Sequence, residues 1–199
     1  MKIPVVPSFP DGDTSIANLQ ALTDCVRFLT VSQFHPEWHF YLTAVFHVSG
    51  ANVWDQIPFT DANVALDTDQ VGNAVNTPAA VIRTPGYYSL TGCIPFQTGS
   101  TATNFWAGFQ FVAGPYNATY SSGTTVNFGI RQGYSVATGG YDESVCCEDI
   151  APYCYAGDSL ALICRASLSA GTVDANTESG AAAGRFVCNF TGKLIRLGP

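Results

Sequence analysis

From residue 41 onward the chain repeats one pattern: short runs in which apolar and polar side chains alternate, each closed by Gly, Pro, Asn or Ser. Successive side chains on a strand point to opposite faces, so each such run offers one face to a core and keeps one free. "YLTAVFHVSG" (41–50) alternates over part of its length, and "ANVWDQIPF" (51–59) is a run interrupted by a Pro. "GYYSLTGCIPF" (86–96) follows the turn signal "RTPG". "NFWAGFQFVAG" (104–114), "TTVNFGIRQG" (124–133), "DSLALICRASL" (158–168) and "AGRFVCNFTGKLIRLG" (183–198) complete the set. Roughly seven or eight strands with no intervening helix restrict the chain to a sandwich or a barrel. The composition suits that outcome. Charged residues make up only 12% of the chain, while 13 Phe, 9 Tyr and 3 Trp supply a core and 19 Gly and 11 Pro supply turns.

Before residue 35 the period changes. In "GDTSIANLQALTDCVRFLTVSQF" (12–34), Ile16, Leu19, Leu22, Val26 and Leu29 fall on one helical stripe. Asp13 or Thr14 can cap the helix start. A Pro-spaced arm, "IPVVPSFPDG", precedes it and shows no sign of regular pairing. A helix this short is marginal by itself, so its stripe needs a partner: its own domain, a second copy, or another protein. The chain therefore divides into an attachment arm and helix over 1–40 and a β domain over 41–199, and the stripe is the candidate attachment surface.

Several function classes fall away. The net charge is −7, only Lys2 and Lys193 are lysines, and no basic cluster exists, so no nucleic-acid partner is expected. No run of about 18 apolar residues exists, so no membrane span is expected. "MKIPVVPSFPDGD" has no apolar segment of the kind a secretory signal needs. The phosphate-binding Gly motifs and the G-x-S-x-G nucleophile turn are missing, and the expectation is neither enzyme nor cofactor. His35 and His39 have a helical metal spacing, but Pro36 between them opposes a helix, and they are read as structural, as is His47. Asp67, Asp69, Asp142, Glu143, Glu148 and Asp149 lack a calcium-loop pattern and are read as solvated loops.

Seven Cys are present, at 25, 93, 146, 147, 154, 164 and 188, and an odd number leaves at least one unpaired within the chain. Without a secretory signal they read as reduced, mostly buried thiols. In "CCEDIAPYC" a zinc site is disfavoured by adjacent Cys, and a disulfide through Cys146 or Cys147 is the better alternative if the protein works outside a cell. Asn117 and Asn189 sit in glycosylation triplets, which mean nothing without secretion.

Three short motifs then occur in order. Gly86, Tyr88 and Leu90 open a middle strand, Gly157, Asp158 and Leu160 open a late one, and Phe190, Gly192 and Leu194 lie in the last. Together they resemble the jelly-roll superfamily of tumour necrosis factor and the globular heads of complement, over roughly Trp54 to Gly198. The resemblance implies an all-β, antiparallel two-sheet jelly roll. In the late strand Asp158 can bond nearby N–H groups, Leu160, Leu162 and Cys164 point one way, and Ser159, Ala161, Ile163 and Arg165 point the other. "ALDTDQVGNAVN" (65–76) resembles the segment after the first strand of such domains.

The order of arm, "LQALTDCVRFL" helix and jelly roll is similar to small virion proteins of tailed phages infecting actinobacteria. That likeness implies a structural accessory protein of the particle, made in the bacterial cytoplasm and carried on the virion surface. Its partners would be a major capsid protein lattice, as for a trimeric head decoration protein, or tail proteins. The alternative is a tail-tip protein binding a host glycan or receptor, with "GGYDES" and "GPYNATYSSG" as loop candidates. The superfamily implies a homotrimer. Phe105, Trp106, Phe109 and Phe111 are the interface candidates, although alternation puts Trp106 on the face opposite the other three and all four rings could instead fill a core.

Overall fold

The computed structural model describes residues 20, 22–23, 26, 36–42, 46–49, 52–59, 64–67, 79–98, 103–135, 143–167, 173–175 and 188–197. The strands are β1 (Glu37–Tyr41), β2 (Phe46–His47), β3 (Asp55–Gln56), β4 (Val64–Asp67), β5 (Ala79–Val81), β6 (Gly86–Thr98), β7 (Thr103–Val112), β8 (Thr125–Ser135), β9 (Glu143–Ile150), β10 (Ser159–Ala166), β11 (Val173–Ala175) and β12 (Asn189–Leu197). Among the described residues, helical backbone occurs only at Gln20, Leu22, Thr23 and Val26.

The strands form two antiparallel sheets, the architecture expected of a jelly roll. The first runs β2-β11-β6-β12-β1-β4, with β9 also paired to β6. β12 and β11 share one edge of β6, because β12 covers Gly86 to Cys93 and β11 covers Phe96 to Thr98. The second runs β3-β10-β7-β8, with β5 beside β3 on the same edge of β10. Alternation sends Tyr88, Leu90, Ile94 and Phe96 of β6 inward, and Phe105, Phe109 and Phe111 of β7 meet them from the other sheet. Phe96 and Phe105 stack at 4.6 Å between centroids, which joins the sheets at one end of the core.

Two elements depart from the sequence reading. The first strand begins at Glu37, ahead of Tyr41, and lies between β12 and β4. Trp38, Phe40 and Leu42 point inward while Glu37, His39 and Tyr41 do not, an alternation that Pro36 and the polar residues obscure. The β domain therefore takes in residues assigned above to the arm. Likewise Glu143–Ile150, read as solvated loop through Glu143, Glu148 and Asp149, is strand β9. Val145 and Cys147 are buried and Ser144, Cys146, Glu148 and Asp149 are exposed, so the strand turns the last two carboxylates to water and its small apolar residues to the core. Asp67 also proves to be on a strand, β4, while Asp69 and Asp142 lie outside the described residues.

Asp158, the one buried charged side chain among the described residues, fixes the entry to β10. Gly157 has φ of 92°, a left-handed conformation suited to Gly, and this turns the chain so that the carboxylate faces inward. Oδ1 accepts from the Gly114 N–H at 2.7 Å. Oδ2 accepts from the Tyr155 N–H at 2.7 Å and from Asn117 Nδ2 at 2.8 Å. Asn117 in turn accepts from the N–H groups of Thr119 and Tyr120 through its Oδ1. One carboxylate thus pins the loop after β7 to the turn before β10.

Leaving a buried donor unpaired costs about 1–3 kcal/mol. Asp158→Ala strands three donors and should lower the unfolding free energy by about 3 kcal/mol or more in urea denaturation. A loss under about 1 kcal/mol would show that this cluster is not a structural tie.

Candidate functional site: the two outer sheet faces

Jelly-roll sheets turn one face to the core, which leaves the outer faces, the loops and the arm for contacts. Of the proposed attachment residues, Leu22 and Val26 sit on helical backbone and are 43% and 54% exposed. Ile16, Leu19 and Leu29 lie outside the described residues.

The aromatic strand is corrected in part. Phe105, Phe109 and Phe111 are fully buried between the sheets and have no surface to offer a second subunit. Phe109 meets Phe190 of the opposite sheet at 6.0 Å, and Phe111 meets Tyr120 at 5.6 Å. Trp106 alone of the four lies on an outer face, that of the second sheet, as the alternation required.

The outer face of the first sheet exposes apolar and aromatic side chains. Ile150 of β9 is 55% exposed and stands beside Ser89 in register. Ile195, at the β12 bulge, is 45% exposed. Next to them Tyr87 meets Tyr153 edge-on at 5.4 Å, and Tyr153 meets Tyr155 at 4.8 Å. Arg196 lies over Tyr87 at 6.0 Å. Desolvation raises the Tyr153 hydroxyl above its ordinary pKa, and the neighbouring Tyr155 and Tyr87 add to the shift.

Further along the same face, Cys93 and Cys146 stand opposite each other in the β6–β9 register and are joined as a disulfide. Of the two adjacent cysteines, the outward one is bonded and the inward one, Cys147, is not. A shallow groove of about 310 Å³ opens over the bond, bounded by Thr91, Arg131, Glu148 and Asn189. Asn189 pairs across to Cys93 from β12.

The Cys93–Cys146 bond departs from the reduced-thiol reading and follows the alternative of a disulfide through Cys146, whereas Cys147, Cys154, Cys164 and Cys188 are unbonded and buried and Cys25 lies outside the described residues. Burial pushes the Cys147 thiol up to about 12, with Arg131 opposing and Asp149 adding to the shift. Burial also raises Cys154, with Asp158 adding, and Cys164, with Asp55 adding. Cys188 is raised by burial and then by Cys164 and Cys147. Such thiols hold their protons at neutral pH, and the thiolate is the nucleophile and metal ligand, so these four are packing groups. Among the described residues no group of three or more His, Cys, Asp or Glu is placed to hold a metal. His39 and His47 are exposed on β1 and β2, away from any such cluster, and His35 lies outside the described residues. Among the described residues no helix is long and apolar enough to cross a membrane.

The second sheet's outer face carries a different set. Arg165 lies over the rings of Trp106 at 4.2 Å and Trp54 at 5.0 Å. Gln56 Nε2 donates to Gln110 Oε1, and Gln110 Nε2 donates to Asn127 Oδ1 at 3.0 Å. Of the two loop candidates, "GPYNATYSSG" displays Tyr116, 77% exposed, on the segment that Asp158 pins. Residues 139–142 of "GGYDES" lie outside the described residues. Sequence reasoning flagged Trp106 and put Arg165 on the strand face opposite Leu160, Leu162 and Cys164, but Trp54 was read only as part of an interrupted strand. What brings Trp54 to Arg165 is the pairing of β3 with β10, a contact between residues far apart in the chain.

No protein-family model matches the chain. No curated protein matches it. Solved structures do. The crystal structure of murine APRIL at pH 8.5 superposes with a TM-score of 0.50 at 10% identity, covering 81% of this chain and 100% of that one. Its crystal structure at pH 8.0 gives 0.50 at 8% identity, with the same coverage of both chains. The globular domain of zebrafish complement 1qA protein gives 0.49 at 13% identity, covering 82% and 99%. At such identities the APRIL likeness shows the jelly-roll fold and nothing more.

The raised thiols give a pH expectation. In the unfolded chain a thiol titrates near 9.0, whereas in the fold burial holds the proton to higher pH. Their contribution is complete below about pH 8 and is lost as pH rises through 9 toward 12, because the unfolded chain then releases protons that the folded chain keeps. The urea midpoint should fall between pH 8 and pH 10.5, with thiols becoming reactive only as the chain unfolds. A flat midpoint, or thiols reactive in the folded state, would contradict it.

Proposed function

We infer that the chain is a non-catalytic structural accessory protein of a tailed-phage particle. In this reading three copies pack through the outer face of the first sheet, and the amino-terminal helix grips the particle, most simply as a head decoration. The observation that carries the attachment is the exposure of Leu22 and Val26, two apolar residues four apart on helical backbone. Spacing of three or four residues puts side chains on one helix face, so an exposed apolar pair there is a surface for a partner. The virion setting rests on the order of arm, helix and jelly roll along the chain. A protein that binds only the assembled lattice stabilises it by mass action.

The trimer contact moves from the β7 phenylalanines to Ile150, Ile195 and Tyr87. These are apolar or aromatic, partly or largely exposed, and grouped on one sheet face. Aromatic and aliphatic side chains of this kind form the desolvated centre of subunit contacts. A second reading, a tail-tip protein that binds a surface glycan, is favoured by the aromatic and amide side chains on the second sheet.

Two measurements test the first reading. Ile150→Asp with Ile195→Asp should convert a trimer to a folded monomer in light scattering. A trimer that survives the double change would place the contact elsewhere. Deleting residues 1–34 should leave the β domain folded and abolish binding to undecorated particles, as should Leu19→Asp with Leu22→Asp. A truncated chain that binds as well as the full one would put attachment on the jelly roll.

A further inference from the structure

We propose that the Cys93–Cys146 bond is a thiol–disulfide exchange site, open to small dithiols through the groove above it, with Cys146 as the sulfur first attacked and β9 as the strand it latches. The fold sorts the described cysteines into two kinds. Cys147, Cys154, Cys164 and Cys188 are unbonded and buried. Cys146 is exposed, Cys93 is half-buried, and both line the groove of about 310 Å³. An attacking thiolate has to reach one of the two sulfurs, so access decides whether a disulfide exchanges. Here the more accessible partner is Cys146.

The groove also carries charge. Arg131 and Glu148 both line it. β8 belongs to the second sheet, but it closes on β9 at Gly129, where φ is 62° and a Cβ would crowd the Asp149 side chain. Arg131 follows two residues later and reaches over the first sheet. Burial raises the Cys147 thiol and Arg131 opposes that rise, so the guanidinium acts on the sulfur next in sequence to Cys146. A cation in this place favours the arriving and the departing thiolate alike. Glu148, and Asp149 one position on, oppose both.

The exchange balances between the bond and a dithiol. One thiolate of the dithiol attacks Cys146 Sγ, the bond to Cys93 breaks, and a mixed disulfide to Cys146 forms. Cys93 departs as a thiolate and takes a proton from water. The second thiol of the reagent loses its proton, attacks its own sulfur in the mixed bond and closes a cyclic disulfide. Cys146 departs and is protonated in turn, so two electrons have passed from the dithiol to the protein.

The strand that this frees is poorly held. Among the described residues β9 pairs only with β6, and the bond sits in the middle of that pairing. Without it β9 is an edge strand whose outward Ser144, Glu148 and Asp149 are exposed and polar. Segments with few buried apolar contacts open first. A reducing compartment keeps such a pair as thiols and an oxidising one closes it, so β9 is latched only in the second. Cys146 lies roughly 13 Å along the strand from Ile150, on the side away from Tyr87, which separates this site from the residues named for the trimer contact.

The test uses the full oxidised chain without denaturant. Dithiothreitol followed by N-ethylmaleimide, with each label located by fragmentation mass spectrometry, should mark Cys93 and Cys146 and leave Cys147, Cys154, Cys164 and Cys188 unmarked. The reduction rate should rise in proportion to dithiothreitol concentration. A rate that levels off at the unfolding rate, or label reaching the buried thiols as fast as Cys146, means that the bond is reached only by unfolding and overturns the site. Arg131→Gln should slow reduction severalfold, Arg131→Lys should restore it, and Glu148→Gln should speed it. Charge variants that leave the rate unchanged, or shift it in the same direction, overturn the role given to the groove. Cys93→Ser and Cys146→Ser each leave one thiol of the pair, and cystamine should modify Cys146 faster than Cys93. If either variant does not fold, the mixed disulfide trapped with acid after brief exposure of the oxidised chain to cysteamine should sit on Cys146. Equal or reversed preference overturns Cys146 as the first sulfur. Amide exchange in β9 should quicken on reduction while β7 and β10 stay protected, and an unchanged β9 overturns the latch. No particle enters these assays, so failure of the attachment reading cannot be mistaken for failure of this one.

Discussion

The ring of Phe190 stands where the two sheets meet. Its centroid lies 5.7 Å from that of Trp38, 6.2 Å from Phe40, 6.1 Å from Phe59 and 6.0 Å from Phe109. Those partners come from β1, from the segment after β3 and from β7, so one side chain of the last strand holds three distant stretches of chain together. Truncating a buried Phe costs about 3–5 kcal/mol, a large share of the stability of a domain this size. The cluster also depends on a side chain that is missing. A Cβ at Gly192 would collide with the Trp38 ring, so the indole lies flat against β12 only because that position is Gly.

A core closed in this way decides what the outer faces are free to do. The inner positions of β6, β7, β10 and β12 are occupied by packing, and the four buried thiols fill space in the same core without reactivity. Chemistry and recognition are left to residues one position out of phase. On the first sheet those are apolar and aromatic, grouped around Tyr87 and Ile150. On the second they are indoles, a guanidinium and amides. The salt bridge between Lys193 and Glu37, at 3.6 Å and solvated, marks where the first face turns polar and contributes little to stability.

The long strands were legible because period two survives in their sequence. β6, β7, β8, β10 and β12 all lie where alternation and turn residues put them. β9 was not, because Glu, Asp and paired Cys are poor strand signals, and only its inward Val145 and Cys147 keep the pattern. β5 has three residues and β3 has two, too few to show a period. The candidate surfaces were half legible for a related reason. Alternation along one strand separates Trp106 from the three core phenylalanines and turns Arg165 outward. Bringing Trp54 beside Arg165, or Ile150 beside Ser89, takes the register between strands, which no single run encodes. Asp158 was legible as a turn residue, but its reach to Gly114 and Asn117 belongs to the fold.

The bond between Cys93 and Cys146 joins positions 53 residues apart, and the enclosed chain includes β7 and β8 of the opposite sheet. The covalent structure is therefore a ring with two tails, and the ring passes through both sheets. A peptide bond cut anywhere between Cys93 and Cys146 would open that ring without releasing a fragment. For a surface that meets proteases, such a nick is silent until a reductant arrives, and only then do the halves become separable.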